Sequence, residues 1–152
     1  MSVQARRKAR VLILQSLYEV DCAAHPADEV IAHRLQESPL NNPNSESFVR
    51  DIVNGVLAHI EAIDTLIHEY APEWPLPQIA IIDRNILRIA IYELIISSQN
   101  TPENIVANEA VELAKLFGGD SAPRFVNGVL GSIAAKRGEI IRRLNSRNGH
   151  KG

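Results

Sequence analysis

Arg6, Arg7 and Arg10 put three guanidinium groups within five residues, with Lys8 among them. Such planar forks suit phosphates and base edges. Residues 1–18 contain no acid, so nothing nearby in sequence neutralises this cluster. Two readings fit: a face that meets a polyanion such as nucleic acid, or a helix end that is solvated or pairs with acids elsewhere in the chain. Tyr18 follows on the same side, and a lone tyrosine is more often packing than a contact.

Other candidate groups point away from catalysis. His25, His33, His59, His68 and His150 show no paired metal-ligand spacing, and Cys22 with His25 makes a lone C-x-x-H, far short of a zinc site. Glu109/Glu112 and Glu61/Asp64 share helix faces at i, i+3, a common arrangement on solvated surfaces, and no partnered nucleophile accompanies them. Gly118-Gly119-Asp120-Ser121 lacks the lysine and spacing of a P-loop and reads as helix punctuation. The expectation is a binding protein, not an enzyme, with no cofactor and no metal.

Charge is strongly segregated along the chain. Residues 1–18 carry +4, residues 19–123 carry −12 and residues 124–152 carry +6, within a net charge of −2. A basic terminus on an acidic body suits a polyanion at one place and a basic partner at another. A single cysteine excludes a disulfide framework, and the longest apolar-rich run, residues 89–96, is interrupted by Glu93, so no membrane span is expected. The apolar run Val11–Leu14 is four residues long, too short for a signal peptide, and a cytoplasmic protein is expected.

Helices must position these groups, since no strand-like alternation is sustained. Ala5, Ala9, Leu12, Ile13, Ser16, Leu17 and Val20 form one face of a first helix; Arg6, Arg7 and Arg10 open the other, continued by Val11, Leu14 and Tyr18 as exposed groups. A short helix is expected over residues 27–37, a loop over 38–44, and one long helix ending near Tyr70. Pro72, Pro75 and Pro77 around Trp74 break the pattern. Beyond them come a central buried helix from Ile79, a helix ended by Gly118-Gly119, and a last helix carrying Phe125 to Ile133 with Ile140 and Leu144 further on. The fold class is all-α, two small antiparallel bundles packed together. One domain spans 1–152: an N-terminal half of about 4–70, a proline-rich joint at 71–78, a C-terminal half of about 79–144 and a solvated basic tail at 145–152.

Several segments, taken in order, resemble the NusB family of bacterial transcription antitermination factors. They are Ala5-Arg6-Arg7-Lys8-Ala9-Arg10 with Gln15-Ser16-Leu17-Tyr18, Phe48-Val49-Arg50 leading to Gly55-Val56, and Asp83-Arg84-Asn85-Ile86-Leu87-Arg88 running to Leu94. Asn108-Glu109-Ala110-Val111-Glu112-Leu113 and Phe117-Gly118-Gly119 with Arg124-Phe125-Val126-Asn127-Gly128 complete the set. The likeness runs from residue 4 to about 135 and weakens at 36–47 and in the tail.

The resemblance implies a NusB-like fold and a factor that, with NusE (a protein of the small ribosomal subunit), binds single-stranded boxA RNA of ribosomal RNA leaders. It implies membership of a termination-resistant RNA polymerase complex, and it allows a homodimer. By matching position, RNA binding falls on Arg6, Arg7, Arg10 and Phe125, and the NusE contact on Tyr18 and Asp83. Asp83 stands where the family often has glutamate, so its reach is shorter; Ser121 stands where some relatives carry an acid near the RNA. Read from its neighbours alone, Phe125 is a core residue between Phe117 and Val129; Arg84 and Arg88, one turn apart, pair with nearby acids or touch RNA, the structural role being preferred. Two other readings stand beside this one: a NusB-like module of an RNA methyltransferase, for which the chain lacks a glycine-rich cofactor segment and a catalytic cysteine motif, and a purely protein-binding adaptor.

Overall fold

The structure, a computed structural model, describes residues 1–149; of the expected basic tail, 150–152 lie outside the described residues and 145–149 continue the last helix. Eight α-helices and no strand occur among the described residues. None of these helices is long and apolar enough to cross a membrane.

Helix α1 (Val3–Ala23) starts on Ser2, whose hydroxyl accepts from the Ala5 amide at 3.0 Å, and ends on Ala24 in the left-handed region at φ 54°. Its Ala9, Leu12, Ile13, Ser16 and Leu17 are buried, as the helical period requires. Leu14 was expected to be exposed but is buried too, because α1 is covered by α2 (Ala27–Glu37) and α3 (Pro43–Ala58) and also by α5 (Ile81–Ile91).

The long helix expected to end near Tyr70 is two helices, α3 and α4 (Ile60–Tyr70), parted at His59. There the backbone opens to φ −116°, and the Gly55 carbonyl accepts from both the His59 amide at 3.2 Å and its ring Nδ1 at 2.9 Å. Apolar periodicity runs through the break because both helices bury residues in the same core: Val53 and Val56 before it, Ile63 and Ile67 after it. The turn sends α4 onto α5 and α7 (Ala122–Ala135).

Pro72, Pro75 and Pro77 form the joint, with one 3-10 turn at Leu76–Gln78. Helix α5 is the central buried helix, packed on α1, α4, α6 (Glu103–Phe117) and α7. It runs into a π turn over Tyr92–Ile96, whose wider winding changes the phase of the side chains that follow. The final apolar stretch divides at Lys136 into α7 and α8 (Arg137–Gly149). Arg143 of α8 donates twice to Glu69 of α4, at 2.9 and 3.1 Å. The two halves therefore share one continuous apolar core.

Candidate nucleic-acid interface

Helix α1 delivers its three arginines to three different environments. Arg10 points inward: its Nη2 donates to Glu93 Oε1 at 2.7 Å and its Nε to Oε2 at 3.2 Å, with side-chain exposures of 3% and 5%. A buried ion pair repays its desolvation only when the geometry is this complete. The guanidinium also lies 5.4 Å from the centroid of the Phe48 ring of α3. Arg6 is half-buried over the same ring at 5.8 Å, its Nε shut away from water without a hydrogen-bond partner. Two cations thus share one aromatic ring.

Arg7 points outward. Its Nε donates to both carboxylate oxygens of Glu109 on α6 at 3.1 and 3.2 Å, yet the arginine remains 55% exposed while Glu109 is 9% exposed. Lys8 beside it is exposed. The expected solvent face of three free arginines is therefore corrected. Distant acids neutralise two of them, Arg10 is inaccessible, and the outward cationic groups are Arg7 and Lys8.

At the other end of α5 lies a cleft of about 310 Å³, bounded by Trp74, Gln78, Asp83, Ser121, Arg124 and Phe125. Phe125 is neither fully exposed nor a core residue: it packs on the core from its edge and meets Trp74 edge-to-face at 6.4 Å between ring centroids. Trp74 is 53% exposed. Asp83, in the first turn of α5, turns one oxygen, Oδ1, into a spot without solvent or hydrogen-bond partner. That burial pushes its carboxyl above the usual aspartate range. Gly118 makes room for it, since a Cβ there would lie 3.0 Å from Oδ1 and 2.5 Å from the Ala122 Cβ.

Tyr18 sits on α1 away from the arginines, 39% exposed; the neighbouring Cys22 thiol one turn on raises its hydroxyl above the ordinary value. Asp21, next on that side, accepts from Arg84 at 2.7 and 2.8 Å, from Asn85 at 3.0 Å and from Arg88 at 2.9 Å. Arg88 also donates to Asp64 at 2.8 and 2.9 Å. Burial alone would raise the Asp21 carboxyl, but hydrogen bonds from Arg84 and Asn85 and the charge of Arg88 outweigh it and hold the group low. Arg84 and Arg88 are thus paired with acids, the structural role of the two expected for them.

The structure brings Phe125, Asp83 and Ser121 into one cleft and leaves the arginines elsewhere: Asp83 and Glu93 stand ten residues apart along α5 and its π turn, a rise of about 15 Å. Four residues of these sites were not read as site residues from the sequence: Glu93, Glu109, Phe48 and Trp74. Glu93 carried a signal, because a charge inside an apolar run needs a buried partner. Trp74 among prolines carried another, since a ring on a rigid segment makes a ready wall. Among the described residues no group of three or more His, Cys, Asp or Glu is placed to hold a metal ion.

Residues 7–135 match the model of the NusB family. The transcription antitermination protein NusB of Dehalococcoides mccartyi is 46% identical over 130 residues, 86% of this chain and 90% of that protein. That of Bacillus pumilus is 41% identical over 128 residues, 84% and 93% of the two chains. Among solved structures, NusB of T. maritima superposes with a TM-score of 0.80 at 28% identity, covering 87% of this chain and 92% of that one. A crystal structure of the antitermination factors NusB and NusE in complex with double-stranded RNA gives 0.80 at 27% identity, covering 88% and 98%. Sequence, order of segments and fold agree: the chain belongs to the NusB family.

Proposed function

We propose that this chain is a transcription antitermination factor that binds RNA together with NusE and helps to assemble a termination-resistant RNA polymerase complex in the cytoplasm. The observation that carries the reading is the agreement of family membership with an outward Arg7–Lys8 pair and an aromatic cleft at opposite ends of α5. The RNA is single-stranded and boxA-like. A paired base has its faces covered, whereas an unpaired one can stack on Phe125 or Trp74. Arg7 and Lys8 meet phosphates, Arg6 borders them, and Arg10 acts by holding α1 in place, its side chain being sealed against Glu93. The exposed ring of Tyr18 and, at the start of α5, Asp83 serve the NusE contact. The acidic middle of the sequence suits a basic ribosomal partner by speeding encounter. The work is binding, with no catalytic step.

Fluorescence anisotropy of labelled boxA-like RNA against a scrambled strand and a duplex, at two salt concentrations, with and without NusE, tests this reading. Preference for the boxA-like strand that sharpens with NusE is expected. Equal, weak binding of all three RNAs that salt abolishes would leave only a basic helix and return the chain to a protein adaptor.

A further inference from the structure

We propose that Phe48 of α3 is a positioning residue for RNA binding, a fixed aromatic shelf that presents the Arg6 guanidinium to a phosphate. The inference rests on the RNA-binding reading and adds to it a buried residue that does not touch RNA.

Arg6 differs from its two neighbours in charge balance. Arg7 and Arg10 are each paired with a carboxylate, whereas the Arg6 side chain makes no ion pair or hydrogen bond among the described residues. An arginine free in water gives up side-chain freedom when it meets a phosphate. Arg6 has surrendered part of that freedom in advance. Its side chain is half-buried, its Nε is enclosed, and its guanidinium carbon lies 5.8 Å from the centroid of the Phe48 ring. With Nε turned into the protein, the part of the fork left for a phosphate is the terminal Nη pair.

The shelf is itself held still. Phe48 is 3% exposed and belongs to the continuous core with Val49 and Ile52 of its own helix. Arg10, four residues along α1 from Arg6 and pinned by Glu93, lies 5.4 Å from the same centroid. A ring attracts a cation through its quadrupole and carries no net charge. Phe48 therefore orients Arg6 without neutralising it. Glu109, in contrast, holds Arg7 and offsets its charge at the same time.

The full-length protein with NusE would be titrated into labelled boxA-like RNA at several salt concentrations, followed by anisotropy. Arg6→Ala is expected to weaken binding about fivefold and to reduce the salt slope by about one. Phe48→Leu keeps an apolar side chain in the core but removes the ring; it should weaken binding about threefold, and Phe48→Tyr should restore it. In the Arg6→Ala background, Phe48→Leu should cost nothing further. A merely structural role for Phe48, including one exerted through Arg10, would cost the same in both backgrounds and overturn the shelf. Full affinity in Phe48→Leu or in Arg6→Ala would overturn it as well. Should circular dichroism show Phe48→Leu unfolded, two measurements without it decide. Arg6→Lys keeps the charge but loses the plane, and should weaken binding about threefold. In nitrogen–proton NMR spectra of the wild type, the Arg6 Nε–H should exchange with water about tenfold more slowly than that of the exposed Arg142. Equal exchange, or full affinity in Arg6→Lys, would overturn the shelf while leaving RNA binding standing. Failure of the wild type to bind any RNA would overturn the RNA reading itself.

Discussion

The two ends of α1 are held by the same kind of bond with the charges exchanged. At its start, α1 supplies the cations, Arg7 and Arg10, and the later helical segments supply Glu109 and Glu93. Near its end, α1 supplies the anion, Asp21, and α5 supplies Arg84 and Arg88. Reversing α1 or sliding it along α5 would bring like charges together, so the pairs fix its direction and register as well as its attachment. The ends also differ in depth. The Arg10–Glu93 pair is sealed, while Arg7 and Asp21 touch water, which gives the first a structural task and leaves Arg7 free for a second partner.

Removing Glu93 should break the comparison most severely. Glu93→Ala strands a buried guanidinium over Phe48 and is expected to cost about 3–5 kcal/mol in urea or thermal unfolding. Asp21→Ala should follow at about 3 kcal/mol, since Arg84, Asn85 and Arg88 all lose an acceptor. This end also makes stability depend on pH in the acid range. The folded Asp21 carboxyl lies below its unfolded value of about 3.9. Its stabilisation is therefore complete above that unfolded value and is lost as pH falls through the lower folded one. Unfolding midpoints measured from pH 7 down to pH 2 should drop more steeply for the wild type than for Asp21→Asn.

Ala24→Gly tests the terminus of α1 without touching charge. Glycine relieves the left-handed φ of 54° and should stabilise by about 1 kcal/mol, visible as a raised melting temperature. Glu109→Ala should be smallest in stability, about 0–1 kcal/mol, because Arg7 is already solvated. Its effect belongs to binding: release of Arg7 should strengthen RNA binding a few-fold and steepen its salt dependence. A large stability loss in Glu109→Ala would erase the distinction between the sealed and the open pair.

The helices were legible because burial imposes a period. The 27–37 helix, the breaks at the prolines and at Gly118, and the central buried helix all follow from spacing and turn chemistry. The break at His59 was not legible, since one core takes apolar residues from both sides of it without interrupting the pattern. The arginine cluster was legible as chemistry but not as geometry. Arg6, Arg7 and Arg10 look alike in sequence, and their fates are decided by Phe48, Glu93 and Glu109, which come to α1 only through the fold. Phe125 shows the same gap, because its setting depends on Trp74, in the joint and far in sequence from its own helix.

The acids that meet α1's arginines, and the arginines that meet its Asp21, all arrive late. Arg10 is separated from Glu93 by 83 positions and Arg7 from Glu109 by 102, while Asp21 precedes Arg84 by 63. Synthesis proceeds from the N-terminus, so for most of the time the ribosome spends on this chain the start of its first helix is a cluster of cations without its acidic partners, beside a large mass of RNA. Completing the fold withdraws Arg10 from that surroundings and tethers Arg7. Maturation of the protein thus converts indiscriminate attraction to polyanions into a face with one adjustable arginine.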